Sequence, residues 1–162
     1  MGRLLTLAEM KEVRGRLRAQ GHRLVFTNGV FDIIHRGHCE YLQSARKQGD
    51  AMVVGLNSDA SVRRLKGASK PIVPEDDRAA VLSALQAVDY VVIFGEDTPI
   101  HLITELLPDI LIKGGDYALD DIVGRPEVEA AGGEVRTIPL TEGRSSTNII
   151  STIIERYCQH ER

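Results

Sequence analysis

The chain has 162 residues, 43% of them hydrophobic and 27% charged, which suits one soluble globular domain with a sizeable core. A net charge of −3 and an aromatic content of 4% without Trp argue against a nucleic-acid surface or a stacking platform for single strands. Apolar runs are too short for a membrane span, Cys39 and Cys158 fit no metal or redox spacing, and Glu9 and Glu12 make the N-terminus unlike a signal peptide; a cytoplasmic protein with reduced thiols is expected.

Thr6 to Ala19 is predicted to be a helix, with Leu7, Met10, Val13 and Leu17 as a stripe and Thr6 with Glu9 as a capping box. The stripe is also a candidate contact in a homo-oligomer. Arg23 to Thr27 reads as a buried strand and Cys39 to Lys47 as a helix with Tyr41, Leu42 and Ala45 inward. Between them stands Thr27-Asn28-Gly29-Val30-Phe31-Asp32-Ile33-Ile34-His35-Arg36-Gly37-His38. Such a helix entrance is an anion site, because free N–H groups and the positive dipole end point the same way. Gly29 and Gly37 allow close backbone approach or a positive φ. His35 and His38, three apart, share a helical face, and two imidazoles beside an anion pocket suggest phosphate chemistry. The spacing is not the dinucleotide Gly-x-Gly-x-x-Gly. The pair also suits a metal site, with Asp32 or Cys39 as a third ligand though without the zincin glutamate, or plain helix capping.

Ala51 to Leu56 reads as a second strand, followed by Asn57-Ser58-Asp59. Ser61 to Lys70 then gathers Arg63, Arg64, Lys66 and Lys70, either a phosphate clamp or a solvated loop. Pro74 to Ala87 is predicted to be a helix, with Glu75, Asp76 and Asp77 in its first turn and Val81, Leu82, Leu85 and Val88 inward. Strand Tyr90 to Phe94, a helix from Pro99, and strand Asp109 to Lys113 follow, the last ending in Lys113-Gly114-Gly115-Asp116-Tyr117. A short helix around Val128 to Ala131 precedes a fifth strand, Glu134 to Pro139. Ser145, Ser146 and Thr147 open a final helix with Ile149, Ile150, Ile153, Ile154 and Tyr157 inward; three hydroxyls there favour phosphate binding over N-capping alone. The alternation implies a single α/β domain with a Rossmann-like, doubly wound, parallel five-stranded sheet: an N-terminal helix within 1–20 and a core over 23–158. The polar clusters follow the first, second, fourth and fifth strands, so they converge on the carboxyl-end rim where ligands sit in such sheets.

With two helix entrances toward one anion, Lys66 and Lys113 add mobile charge and Arg78 a planar fork. No Gly-x-Ser-x-Gly elbow is present, so direct in-line transfer is expected: a sugar phosphate oxygen attacks the α-phosphorus of a nucleoside triphosphate and pyrophosphate leaves. His35 and His38 would stand near the bridging oxygen and β-phosphate, with Mg²⁺ held mainly through the phosphates and no protein ligand set of its own.

Gly29-Val30-Phe31-Asp32-Ile33-Ile34-His35-Arg36-Gly37-His38 resembles the signature Gly-x-Phe-Asp-x-x-His-x-Gly-His of the cytidylyltransferase-like nucleotidyltransferases. Asn57 to Gly67, Glu75 to Arg78, Val88 to Val92, Glu96 to Pro99, Leu111 to Tyr117 and Ser146 to Ile150 are similar to the adenylyltransferase half of the bifunctional heptose kinase/adenylyltransferases. The resemblance implies transfer of AMP from ATP to D-glycero-β-D-manno-heptose 1-phosphate, giving ADP-heptose and pyrophosphate for the lipopolysaccharide inner core. It implies that His35, His38 and Lys66 are catalytic. It implies that Thr27, Asn28, Gly29, Phe31, Gly37, Lys113, Gly114, Asp116, Ser145, Ser146 and Thr147 bind nucleotide together with the histidines, and that Asp32, Asn57, Arg63 and Arg78 bind the acceptor. With the kinase half absent from this sequence, a sugar kinase on a separate chain is implied, and a dimer or larger homo-oligomer is expected. Arg144 departs from the relatives' pattern. Glycerol-3-phosphate cytidylyltransferases share the histidine motif, but typically lack a lysine at the place of Lys113 and carry an arginine at that of Leu140. They are the alternative. A non-catalytic nucleotide-binding regulatory module is another, against which the intact His35, His38 and Lys66 stand.

Overall fold

The computed structural model describes residues 1–115, 117–141 and 143–158. In chain order the elements are β1 (Arg3–Leu4), α1 (Leu7–Ala19), β2 (Leu24–Gly29), α2 (Arg36–Arg46), β3 (Ala51–Asn57), α3 (Asp59–Lys66), α4 (Glu75–Ala84), β4 (Tyr90–Phe94), α5 (Ile100–Leu106), β5 (Ile110–Gly114), α6 (Arg125–Ala130), β6 (Glu134–Ile138) and α7 (Ser146–Ile153). A 3₁₀ turn at Leu119–Asp121 precedes α6, and a π-type turn at Ile154–Cys158 follows α7.

The strands form one parallel sheet in the order β1-β4-β3-β2-β5-β6. Among the described residues it has six strands where the periodicity predicts five. The extra one, β1, is two residues long, too short to show a period, and is fixed at the edge by Arg3 N donating to Asp89 O at 3.0 Å and Leu5 N to Val91 O at 2.9 Å. Side chains alternate across the pleat. Phe26, Val53, Val92 and Leu111 enter one core with α1 and α5, while Val25, Met52, Val54 and Ile110 enter the other with α2 and α4. Strand order reverses at β2, whose neighbours are β3 and β5, so the crevice for a ligand opens beyond the carboxyl ends of β2 and β5.

The Thr6 capping box forms as expected: Glu9 N donates to Thr6 Oγ1 at 3.3 Å and Thr6 N to Glu9 Oε2 at 2.8 Å. Met10, Val13 and Leu17 lie buried in the first core, so this stripe is not available as an oligomer contact. Buried Arg14 forks onto Asp109 at 2.8 and 3.0 Å and donates to Leu106 O and Leu107 O, tying α1 to the start of β5. Burial raises the cost of charging Asp109, but the Arg14 guanidinium and the Leu24 N–H outweigh it and hold the carboxyl below its ordinary value.

Two expected core faces differ. Val81 is exposed on α4. No residue of α7 is buried, and Ile153, Ile154 and Tyr157 face solvent. An apolar period marks a face; it does not supply a surface to cover it. Among the described residues no helix is long and apolar enough to cross a membrane.

Candidate active site

At the end of β2 the chain makes a sharp turn that sets the histidines. Phe31 has φ +47°, an uncommon conformation for an aromatic residue, and its ring folds back over Gly29. A Cβ on Gly29 would lie 2.9 Å from that ring, so the glycine makes room for it. The Phe31 ring meets His38 edge-on, with centroids 5.3 Å apart. His38 in turn stacks on His35, at 3.9 Å and an interplanar angle of 24°. His35 occupies the N-cap position of α2 in extended backbone, one turn before His38.

Burial, with His35 as a second cause, pushes the His38 pKa down to about 4. Burial and then the Arg144 guanidinium hold His35 below the ordinary imidazole value. Both rings are therefore neutral at pH 7. Both Nδ1 atoms are buried without a hydrogen-bond partner among the described residues, which leaves Nε2 as the nitrogen to donate to a ligand.

The start of α7 comes to the same place. A Cβ on Gly37 would lie 3.2 Å from Arg144 Cβ and 3.1 Å from His35 Cε1, so glycine permits this approach. Ser145 caps α7, accepting from Asn148 N at 3.1 Å, and Ser146 Oγ donates to Ile33 O at 3.2 Å. Ser145 is thus a cap, as the plain reading had it, yet it also lines a cavity of about 190 Å³ with Ser146, His35, Gly37 and His38. The two helix beginnings share that space.

A larger cavity of about 700 Å³ adjoins it, sharing His38 and Ser146. Cations enter it from three segments: Lys113 at the end of β5, Lys66 at the end of α3, and Lys70 beyond it. Lys113 Nζ donates to Asn28 Oδ1 at 2.6 Å, and burial lowers its pKa. Thr147, Asn57, Gly29, Phe31 and Asp32 also line the cavity. Asp32 turns its Oδ1 to Ile72 N (2.9 Å) and Val73 N (2.8 Å), with Lys70 Nζ 3.6 Å from Oδ2. It thereby fixes the strap that carries Lys70 over the site.

Other expected residues lie elsewhere. Arg78 is not at the cavity: its side chain is 0% exposed and donates to Val73 O, Val30 O and Asp59 Oδ1 at 2.9, 2.6 and 2.7 Å. Its fork is filled by the protein itself, joining the turn after β2, the strap and the start of α3. Thr27 is sealed too, bonded through Oγ1 to the Tyr41 hydroxyl at 2.6 Å, with burial pushing the Tyr41 pKa up to about 12. Arg63 stands 3.8 Å from Asp59 on the outer side of α3, away from the cavity walls. Gly114 is packed under Leu140 and Tyr41, where a Cβ would meet Leu140 at 2.8 Å. Asp116 lies outside the described residues. One wall holds Asp97, Thr98, Pro99 and Tyr117, which the sequence placed in matching stretches without a site role, and Asp121, Ile122 and Val123, which it did not single out. They come from connections without a period, and Ile122 and Val123 carry no signal that distinguishes them from filler.

No group of three or more His, Cys, Asp or Glu side chains among the described residues is arranged to hold a metal ion. The carboxylates of the large cavity, Asp32, Asp97 and Asp121, come from three separate segments, with Asp32 Oδ1 accepting from Ile72 and Val73 and Asp97 paired with Arg64, a donor set that fits an ion brought in on phosphates rather than one caged by protein.

The chain resembles known proteins along most of its length. Residues 26–155 match the Cytidylyltransferase-like family. The chain is 51% identical over 152 residues to Bifunctional protein HldE of Trichlorobacter lovleyi, covering 94% of this chain and 31% of that protein. It is 57% identical over 142 residues to Bifunctional protein HldE of Syntrophotalea carbinolica, covering 88% and 29%. It thus spans about 30% of the length of these relatives. The crystal structure of the lipopolysaccharide core biosynthesis protein from Thermoplasma volcanium GSS1 aligns with a TM-score of 0.63 at 31% identity, over 76% of this chain and 100% of that one. With the histidine pair and the family match in agreement, the chain belongs to the Cytidylyltransferase-like family of nucleotidyltransferases.

Proposed function

We propose that the chain transfers AMP from ATP to D-glycero-β-D-manno-heptose 1-phosphate, releasing pyrophosphate and ADP-heptose, a precursor of the lipopolysaccharide inner core. The observation that carries this reading is the meeting of α2 and α7 at one small cavity, with stacked neutral imidazoles between them and a lysine-lined cavity beyond. The similarity to proteins named HldE, and to one titled for lipopolysaccharide core biosynthesis, supports the choice of acceptor.

An oxygen of the acceptor phosphate forms the new bond to the α-phosphorus. The bond from that phosphorus to the bridging oxygen breaks, and its electron pair leaves with pyrophosphate. The attacking phosphate is already anionic, so no general base is needed. His38 and His35 donate from Nε2 to oxygens that gain charge, and the N–H groups at the starts of α2 and α7 add fixed positive potential. Lys66 brings mobile charge to the triphosphate, and Lys113, whose Nζ donates to Asn28, stands beside the nucleotide in the same cavity. A Mg²⁺ ion carried by the phosphates supplies further charge neutralisation when bound.

Incubation with ATP, Mg²⁺ and the heptose 1-phosphate should release pyrophosphate in step with the sugar nucleotide. Turnover with CTP and glycerol 3-phosphate, and none with ATP and the heptose, would replace this acceptor and base with the cytidylyltransferase pair. Tight ATP binding without transfer to any sugar phosphate would leave a regulatory nucleotide-binding module.

A further inference from the structure

One face of the sheet is apolar until it reaches the rim, and there it turns to amides. Phe26, Val53 and Leu111 point into the core with α1 and α5. Two residues further along the same strands stand Asn28, Gly55 and Lys113, and two beyond Gly55 stands Asn57, so these side chains share that face. Asn28, Asn57 and Lys113 all line the large cavity. Gly55 carries no side chain into the space beside them; a Cβ there would crowd Asn28 Cβ at 3.2 Å.

The partners of each amide fix which end faces the cavity. Glu96 O can only accept, so the one hydroxyl proton of Ser61 goes to it, at 2.9 Å. Ser61 Oγ must then accept from Asn57, and it takes Nδ2 at 3.0 Å. That leaves Asn57 Oδ1 outward. Asn28 is set the opposite way: Lys113 Nζ carries only donors and takes Oδ1 at 2.6 Å, leaving Nδ2 outward. Neither outward atom has a partner among the described residues, and neither is sealed from solvent, so both reach the cavity.

The bonds run in one direction, from Lys113 to Asn28 and from Asn57 through Ser61 to Glu96 O, with a gap between the two amides. A group that closes the gap has to accept from Asn28 Nδ2 and donate to Asn57 Oδ1. A hydroxyl does both, whereas an ionised phosphate oxygen cannot donate and an ammonium cannot accept. We infer that a sugar hydroxyl of the bound substrates bridges Asn28 and Asn57, and that Ser61 is a positioning residue that holds the Asn57 carbonyl toward it. Ser61 is fully buried and does not line the cavity, so it acts only through Asn57. Hydrogen bonds aligned in series polarise one another, which favours this polarity over a flipped amide. The inference rests on the nucleotidyl-transfer reading, whose two substrates carry hydroxyls on the acceptor sugar and on the ribose.

The test pairs the parent and Ser61→Ala with monodeoxy analogues of the heptose 1-phosphate and of ATP, reading dissociation constants by calorimetry. In the parent, one analogue should bind about tenfold more weakly than the intact substrate. In Ser61→Ala the intact substrate should weaken by a similar factor, and the penalty for that same analogue should shrink to about twofold or less. The other substrate should bind as it does to the parent. A penalty on a deoxyheptose places the hydroxyl on the acceptor; one on a deoxy-ATP places it on the ribose. Asn57→Ala, which leaves Ser61 and its bond to Glu96 O in place, should erase the same penalty, and it decides the matter if Ser61→Ala does not fold. No penalty for any analogue in the parent, or a penalty kept in full in either variant, overturns the inference. Pyrophosphate release by the parent from ATP and heptose 1-phosphate would then leave the transfer reading standing. A parent that binds neither substrate removes both.

Discussion

α2 enters the site with Tyr41, Leu42 and Ala45 sunk in the core, whereas α7 enters it with no buried residue. The first is held in place by packing and by the Thr27–Tyr41 bond. The second is held near its start by the Ser146 bond to Ile33 O and by the close approach of Arg144 to Gly37. Two anion-binding helix ends of similar chemistry thus differ in what fixes them. The α2 side is pre-organised by the fold, and a ligand bridging both ends would add to the few ties of the α7 side. Substitutions on the α2 side should separate cleanly into chemistry and stability, while those on the α7 side should act mainly on ligand affinity.

The largest effect is expected at His38. His38→Ala removes a donor aimed at developing charge, and turnover should fall by about 10²- to 10⁴-fold. The ring is only half-buried, against Phe31 and His35, so the melting temperature should move by no more than about 4 °C. A large loss of stability with modest loss of turnover would make His38 a packing residue and erase the contrast between the two helix ends.

Arg78 tests the opposite case. Arg78→Ala would leave Asp59 without its 2.7 Å partner and two carbonyls without donors, at a cost of about 3–5 kcal/mol in urea unfolding. If stability were unchanged and KM for the sugar phosphate rose instead, the arginine would be reading the acceptor after all.

The sheet, the helix order and the rim were legible because period and capping are local. Thr6 with Glu9 announced α1, and the short apolar runs of β2 to β5 announced a sheet covered on both faces. The histidine pair was legible because its spacing alone places both rings on one helical face. What sequence could not tell is which polar groups the fold keeps for itself. Thr27 and Arg78 have the right chemistry for a ligand but find partners inside, and such partners are 14 and 19 residues away for the side-chain bonds. Charge type identifies a candidate; only tertiary neighbours decide whether its bonds are already made. The same holds for α7, whose isoleucines promise a core that the structure does not provide.

On the α7 side Ser146→Ala deletes one hydroxyl that lines both inner cavities. KM for ATP should rise by about tenfold at most, with thermal stability near the parent value, since the lost bond to Ile33 O is a single neutral one. A loss of stability comparable to that of Arg78→Ala would mean that this bond, rather than a ligand, holds α7 in place.

The smallest effect separates the helices by protonation. The His38 imidazole has an ordinary pKa of 6.5 and a folded value of about 4, with burial as the main cause. Between these values the unfolded chain binds more protons than the folded one, so this contribution to stability is complete above pH 6.5 and is lost as pH falls toward 4. His38→Ala should flatten the pH dependence of stability in that window and leave the rest of the profile in place. A phosphate oxygen against the ring favours its charged form, so ATP should move the His38 pKa upward, as read from imidazole NMR shifts. An imidazole titrating near 6.5 in the free protein would show that α2 does not bury the ring, and the rigid half of the comparison would lose its footing.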